Sequence, residues 1–273
     1  MINLDQSTID KLNSGMTSSE SIQLPFAAPF LWALNGQPGY KQQGGALYFG
    51  GWACKAEDLE AVCRTGSLPV PPSWKSGTLS GRDGGEFDVF STRSVIVAPI
   101  GKRESWLTDN KRSSHYVEGG RRHLQVLCYM GVKNGPKIEP WSPVVLTAKG
   151  YQAMNLAKSF SAWDKATINQ RSKVAPGIPA WCFYLAIGTF GEQRQVMQVG
   201  KAGASSPITP IGPYIPDDLS EATVESLFVG DVIATIMADY QDKAYEWLGA
   251  WKLDKSSDSE DEPAQSSHDD APF

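Results

Sequence analysis

The sequence predicts a mainly β fold of the mixed α+β class, with helices at its periphery, and three observations lead there. Short runs rich in Val, Ile, Phe and Tyr recur along the chain, the clearest being Phe87–Ile100 and His123–Val132, and such side chains suit a pleated surface. Glycine is dense between Leu24 and Lys55, which favours strands and tight turns over helix. Helical spacing is confined to a few stretches, chiefly Gln152–Gln170 and a segment from Glu221.

Taken in order, residues 1–23 form a polar leader with a short helix expected over Asp5–Asn13. Leu24–Lys55 interleaves Phe26, Phe30, Trp32, Tyr40, Tyr48, Phe49 and Trp52 with six glycines. Within it Tyr48, Gly50 and Trp52 share one strand face and Phe49 and Gly51 the other. Ala56–Arg64 reads as a helix, and the Pro/Gly/Ser-rich Gly66–Gly85 as a long loop. Gly101–Arg122 is a polar, basic connection between the two clearest strands, and Pro143–Thr147 a short strand. Met154, Leu156, Ala157, Phe160 and Trp163 give Gln152–Gln170 its helical stripe. Trp181–Phe190 and Gln195–Val199 read as a strand pair joined at Gly188–Gly191, the first of them buried because Trp181–Ile187 is continuously apolar. Ser205–Asp218, with four prolines, reads as a linker. Ser220 is the expected N-cap of the longest helix, Glu221–Trp251, with a break near Gly230. Its apolar stripe packs either on the body or on a second subunit, so homo-oligomers are one expectation.

Composition bounds the function classes. A hydrophobic fraction of 41% over 273 residues is ample for a packed core. Met1–Ser21 is polar and lacks the basic start and apolar run of a secretory leader. No stretch approaches the roughly 18 apolar residues of a membrane span. A cytoplasmic protein without membrane contact is therefore expected. The charge is split unevenly. Residues 254–273 carry seven acids against Lys255, a net −6, whereas the whole chain carries −5, which leaves +1 for the rest. A near-neutral body of residues 1–253 attached to an acidic, disordered tail is the asymmetry expected of a nucleic-acid binder whose tail competes for its groove.

The basic connection is the strongest candidate for such a groove. Lys102, Arg103, Lys111, Arg112, Arg121 and Arg122 stand there among Trp106, Tyr116, His115 and His123. Phosphates need cations spaced along a path and unstacked bases need flat faces, and this alternation supplies both. Trp74 and Lys75, in the predicted loop, and Tyr40 and Lys41, beside turn glycines, are further surface candidates.

The chain closes on His268-Asp269-Asp270-Ala271-Pro272-Phe273. Paired carboxylates, a stiffening proline and a terminal aromatic ring beside a free carboxylate make a docking peptide. This ending resembles the C-terminal tip of bacterial single-stranded DNA-binding (SSB) proteins, which reads Asp-Asp-Asp-Ile-Pro-Phe. It matches at Asp269, Asp270, Pro272 and Phe273 and departs at His268 and Ala271. The resemblance implies an elaborated OB-like β-barrel of the divergent kind encoded by phages and mobile elements. It also implies sequence-nonspecific binding of single-stranded DNA and recruitment of replication or recombination proteins through the tip.

Signatures of catalysis are missing from the sequence. It has no G-x-x-x-x-G-K-[ST] loop, G-x-G-x-x-G fingerprint, H-E-x-x-H, H-x-E…C-x-x-C or G-x-S-x-G. The four cysteines form no C-x-x-C pair, so no structural zinc is expected. Cys128 and Cys182 lie in apolar runs and read as buried thiols, while Cys54 and Cys63 flank a helix and could approach each other. The expectation is a binding protein with no cofactor. The rival classes are a protein that imitates the SSB tail without binding DNA and a nucleic-acid-processing enzyme.

Overall fold

The computed structural model describes residues 23–34, 41–42, 50–80, 85–108, 111–190, 197–200 and 206–252. The expected helix Asp5–Asn13, Tyr40 and the tail with Asp269, Asp270, Pro272 and Phe273 lie outside the described residues. The strands are β1 (Phe30–Leu34), β2 (Lys41–Gln42), β3 (Gly51–Lys55), β4 (Lys75–Ser80), β5 (Glu86–Thr92), β6 (Ser94–Thr108), β7 (Lys111–Ser113), β8 (Arg121–Asn134), β9 (Lys137–Lys149), β10 (Leu185–Gly188), β11 (Met197–Val199), β12 (Ser206–Ile208) and β13 (Gly212–Tyr214). The helices are α1 (Ala56–Gly66), α2 (Tyr151–Val174), α3 (Glu221–Glu225), α4 (Asp231–Lys243) and α5 (Tyr245–Gly249), with 3-10 turns at Ala180–Cys182 and Ala250–Lys252.

Eleven strands form one sheet in the order β13-β10-β6-β8-β9-β1-β3-β5-β4-β2, with β7 paired to β6. Every pairing is antiparallel except β1 with β9. The sheet curls strongly into a half-barrel. The curl is visible in two contacts across the sheet, the first of them between strands that stand five steps apart in the sheet order. The Trp52 indole Nε1 of β3 donates to the Ile187 carbonyl of β10 at 2.9 Å. Gly50, just before β3, lies so close to Thr189 and Thr209 that a Cβ there would sit 2.6 Å from the Thr209 Cβ.

Both faces of the central strands are covered, so β8 and β9 are buried almost without alternation, as expected for strands sandwiched between layers. The inner cluster joins Leu31, Trp52, Val97, Leu124, Val126, Cys128 and Leu146 to Leu59 and Val62 of α1 and to Ala153, Leu156 and Trp163 of α2. On the outer face Ala98, Leu127, Tyr129 and Val145 meet Phe183, Val224, Met237 and Trp247. The helices therefore enclose the sheet from two sides. Gln152, at the start of α2, fastens that helix where the sheet curls. Its amide donates to the Thr209 carbonyl at 2.8 Å and accepts from the Ile211 N–H at 3.2 Å.

A bulge between Pro99 and Gly101 shifts the β6–β8 register. One extra residue reverses the facing of everything beyond it. Val95 and Val97 point to the inner cluster, but past the bulge the even-numbered Lys102, Glu104 and Trp106 take that side. Arg103 and Ser105 turn to the outer one.

Several expectations need correction, first among them Phe87–Ile100, which divides at Arg93 into β5 and β6, strands with different partners, and Pro143–Thr147, which is part of the longer β9. Gly66–Gly85 is not all loop, because β4 occupies Lys75–Ser80 and pairs with β5. The basic connection is mostly strand: β6 runs on to Thr108 and β8 begins at Arg121, since backbone pairing propagates through polar residues as readily as through apolar ones. Trp181–Ile187 opens as a 3-10 turn and becomes strand at Leu185. β11 pairs with β12 rather than with β10, and the proline-rich linker holds β12 and β13. Ser220 is the N-cap, accepting from the Thr223 N–H. The helix it opens ends at Glu225, and the next begins after Gly230 (φ +86°). No described helix is long and apolar enough to cross a membrane.

Candidate nucleic-acid interface

The β6–β7–β8 hairpin carries the predicted basic residues on two opposite faces, and their fates differ. On the inner-side face Trp106 stands opposite Arg122, and Glu104 opposite Leu124. The Arg122 guanidinium pairs with the Glu104 carboxylate at 2.6 Å. Trp106 is half-buried, and Tyr116 from the β7–β8 connection meets it edge-to-face with ring centroids 4.9 Å apart. Tyr116 is 68% exposed, and Lys102 is exposed on the same face, whereas Arg121, opposite Leu107, is exposed on the outer side. A tight turn at Val117–Gly120, with Gly119 at φ +77° and the Gly120 N–H donating to the Val117 carbonyl at 2.9 Å, brings Tyr116 back over Trp106. Flat rings are thus brought together with the Lys102 and Arg122 side chains on this face.

The outer-side face is occupied. Arg103, 3% exposed, lies between two indoles, its guanidinium carbon 3.8 Å from the Trp247 ring centre and 4.2 Å from that of Trp251. Its Nε donates to Gln125 Oε1 at 2.7 Å and an Nη to the Trp247 carbonyl at 3.3 Å. Arg112 covers Trp251 at 4.2 Å and donates to Ser105 Oγ at 3.0 Å. The result is a ladder of Trp247, Arg103, Trp251 and Arg112 that welds the C-terminal turn to the hairpin. Each desolvated cation–π step contributes up to about 2 kcal/mol.

His123 is fully buried beside this ladder, its ring 4.9 Å from that of Trp251. Burial first, and then the charges of Arg112, Lys149 and Arg103, hold its pKa well below the usual histidine value. Arginine can only donate, so the 3.3 Å contact from Arg112 makes His123 Nδ1 the acceptor and leaves the proton on Nε2. That buried Nε2 has no hydrogen-bond partner among the described residues.

The structure therefore divides the predicted site. Lys102, Trp106, Tyr116 and, in part, Arg122 share one face, while Arg121 is exposed on the other. Arg103 and His123 are buried and unavailable to a strand in this conformation, because the C-terminal turn has folded over them. Arg112 is half-buried against the same turn. The backbone of Lys111 belongs to β7, with its side chain outside the description. Trp74 is a core residue, 7% exposed in the inner cluster, because its loop folds inward and the Trp74 N–H closes a turn onto Pro71. Lys75 is exposed at the start of β4 and Lys41 opens β2, with four strands between β4 and β8 in the sheet order. Sequence reasoning missed Trp247 and Trp251 as partners of the hairpin. Their four-residue spacing puts both rings on one helical face, which was a readable signal, but nothing in the sequence names what that face touches.

Other chemistry is sparse. A mainly apolar cleft of about 300 Å³ lies between α2 and the Ala180–Cys182 turn, lined by Phe160, Trp163, Asp164, Trp181 and Leu185 among others. Its one carboxylate, Asp164, pairs with Arg171. All four cysteines are free thiols, Cys54 and Cys63 included. Among the described residues no three His, Cys, Asp or Glu side chains are grouped to hold a metal ion. No family model, curated protein or solved structure matches the chain.

Proposed function

We propose that this chain binds single-stranded DNA without sequence preference and recruits replication or recombination proteins through Asp269, Asp270, Pro272 and Phe273. The observation that carries the reading is the inner-side face of the β6–β8 hairpin, where Tyr116 and Trp106 stand with Lys102 and Arg122. Strand adjacency supports an OB-like barrel beneath it. In an OB barrel strand 1 lies between strands 4 and 2, strand 5 runs parallel to strand 3, and a helix joins strands 3 and 4. The order β10-β6-β8-β9-β1, with β1 parallel to β9 and α2 between β9 and β10, has the same adjacency. The fifth strand then comes from the N-terminal side. On this reading the β6–β8 hairpin is the loop between the first two strands, one of those with which OB folds grip oligonucleotides.

The chemistry is electrostatic attraction plus stacking. The two cations on this face, Lys102 and Arg122, release counterions at phosphates, so the logarithm of affinity should fall with the logarithm of salt with a slope of about −1.4. Tyrosine and tryptophan faces stack on any base, which gives affinity without sequence choice. The test is intrinsic tryptophan fluorescence during titration with oligo(dT) and with a duplex of equal length, at low and moderate salt. The expected result is quenching by oligo(dT) alone, weakening as salt rises. No response at low salt, from the full chain or one lacking residues 254–273, would overturn the reading. A protein that imitates the SSB tail without binding DNA would then lead. That second reading has one observation in its favour, the enclosure of Arg103, Arg112 and His123 by the C-terminal turn.

A further inference from the structure

The ladder on the outer-side face has the form of a base-binding site already filled from within. We propose that the gap between the Arg103 and Arg112 guanidinium planes is a nucleobase slot, held shut by the Trp251 indole and opened when a single strand displaces that ring. The inference rests on the single-strand reading above and concerns a second subsite, on the opposite face of the same hairpin.

Three features point to it. First, Trp251 is bracketed by two cations at 4.2 Å each. Guanidinium planes stack on nucleobases as they do on indoles. Second, the edge of the slot carries hydrogen-bonding capacity that an indole cannot use. His123 presents a buried Nε2–H with no partner among the described residues, beside a ring 4.9 Å away that offers donors only. A base carbonyl or ring nitrogen in place of the indole would accept that proton, and buried donors are seldom left unmet. Third, Trp251 is held by a single 3-10 turn, Ala250–Lys252, an element that can detach without disturbing the sheet. Arg103 stays fixed by Gln125 and by the Trp247 ring on its other face, so the slot keeps one wall when the plug leaves.

The test uses the full chain labelled with fluorotryptophan, its Trp251 fluorine resonance assigned with Trp251→Phe. It is titrated with oligo(dT) until the anisotropy of the labelled oligonucleotide saturates. Trp251 is expected to move to a solvent-exposed position while the core Trp52 resonance stays in place. Trp251→Ala should bind oligo(dT) about fivefold tighter than wild type, by removing the competitor for a stacking site. That gain should vanish in Trp251→Ala/Arg112→Gln. An unmoved Trp251 resonance at saturation overturns the slot and leaves the single-strand reading intact. So does a Trp251→Ala chain that keeps the Trp52 resonance yet binds no tighter. If that variant does not fold, the labelled wild type decides alone. Binding by Trp251→Ala where wild type binds nothing would overturn displacement of the ring by a strand, and the single-strand reading of the wild-type chain with it. Binding by neither would sink both proposals together.

Discussion

At the scale of single residues, burial decides which charges are available for binding. Lys102 and Arg103 are adjacent and both cationic, yet one is solvated and the other is sealed between two indoles. Glutamate at Lys102 should weaken oligo(dT) binding at low salt and flatten the salt dependence, since each cation removed lowers the counterions released by about one. Tyr116→Ala should cost about 1–3 kcal/mol in oligo(dT) affinity, the worth of one stacked base, and leave the thermal midpoint unchanged because the ring is exposed. His123 predicts a pH dependence. Its folded pKa lies below the unfolded value near 6.5, so the folded state favours the neutral ring. That stability is complete above 6.5 and is lost as pH falls from there through the folded pKa. The thermal midpoint should therefore drop on acidification below 6.5, and His123→Asn should lose that part of the drop.

At the scale of elements, the bulge in β6 and the curl of the sheet matter most. The bulge sends Lys102 and Trp106 to one side and Arg103 to the other, which is why one basic stretch serves two surfaces. The curl demands close approach where β3 meets the segments after β10. Gly50 sits there at φ +79°, against Thr209 and Thr189. Gly50→Ala should destabilise the fold by about 1–3 kcal/mol, from the left-handed backbone and the clash combined, as read by urea unfolding. The helical stripe of α2 and the N-cap at Ser220 were legible because local periodicity and capping chemistry determine them. The strands β4, β12 and β13 were not. Their Gly, Ser and Pro content marks loops, and only their pairing with β5, β11 and β10 makes strands of them.

At the scale of the whole molecule, the acidic residues 254–273 oppose a body of nearly zero net charge. The last described turn before them is the one seated on Arg103 and Arg112. Deleting residues 254–273 should raise oligo(dT) affinity at low salt, and the gain should fade as the Debye length shrinks to about 8 Å near physiological ionic strength. Unchanged affinity at low salt would show that the acids do not compete for the groove. The thermal midpoint should hold, because the inner and outer clusters are built from residues before 252.

Local chemistry alone identified the α+β class, the long strand β8, the α2 stripe, the Ser220 cap, the buried thiols of Cys128 and Cys182 and the basic, aromatic character of the β6–β8 region. These follow from side-chain shape, periodicity and charge within a short window. Tertiary structure alone decided which of those cations remain free. Arg103, His123 and Trp74 look like surface residues in sequence because polar or proline-rich neighbours surround them. They are buried because Trp247 and Trp251, more than 120 residues further along the chain than His123, fold over the first two, and the inner cluster takes in the third. Burial is a property of what the whole chain brings near a residue, and no window of sequence contains it.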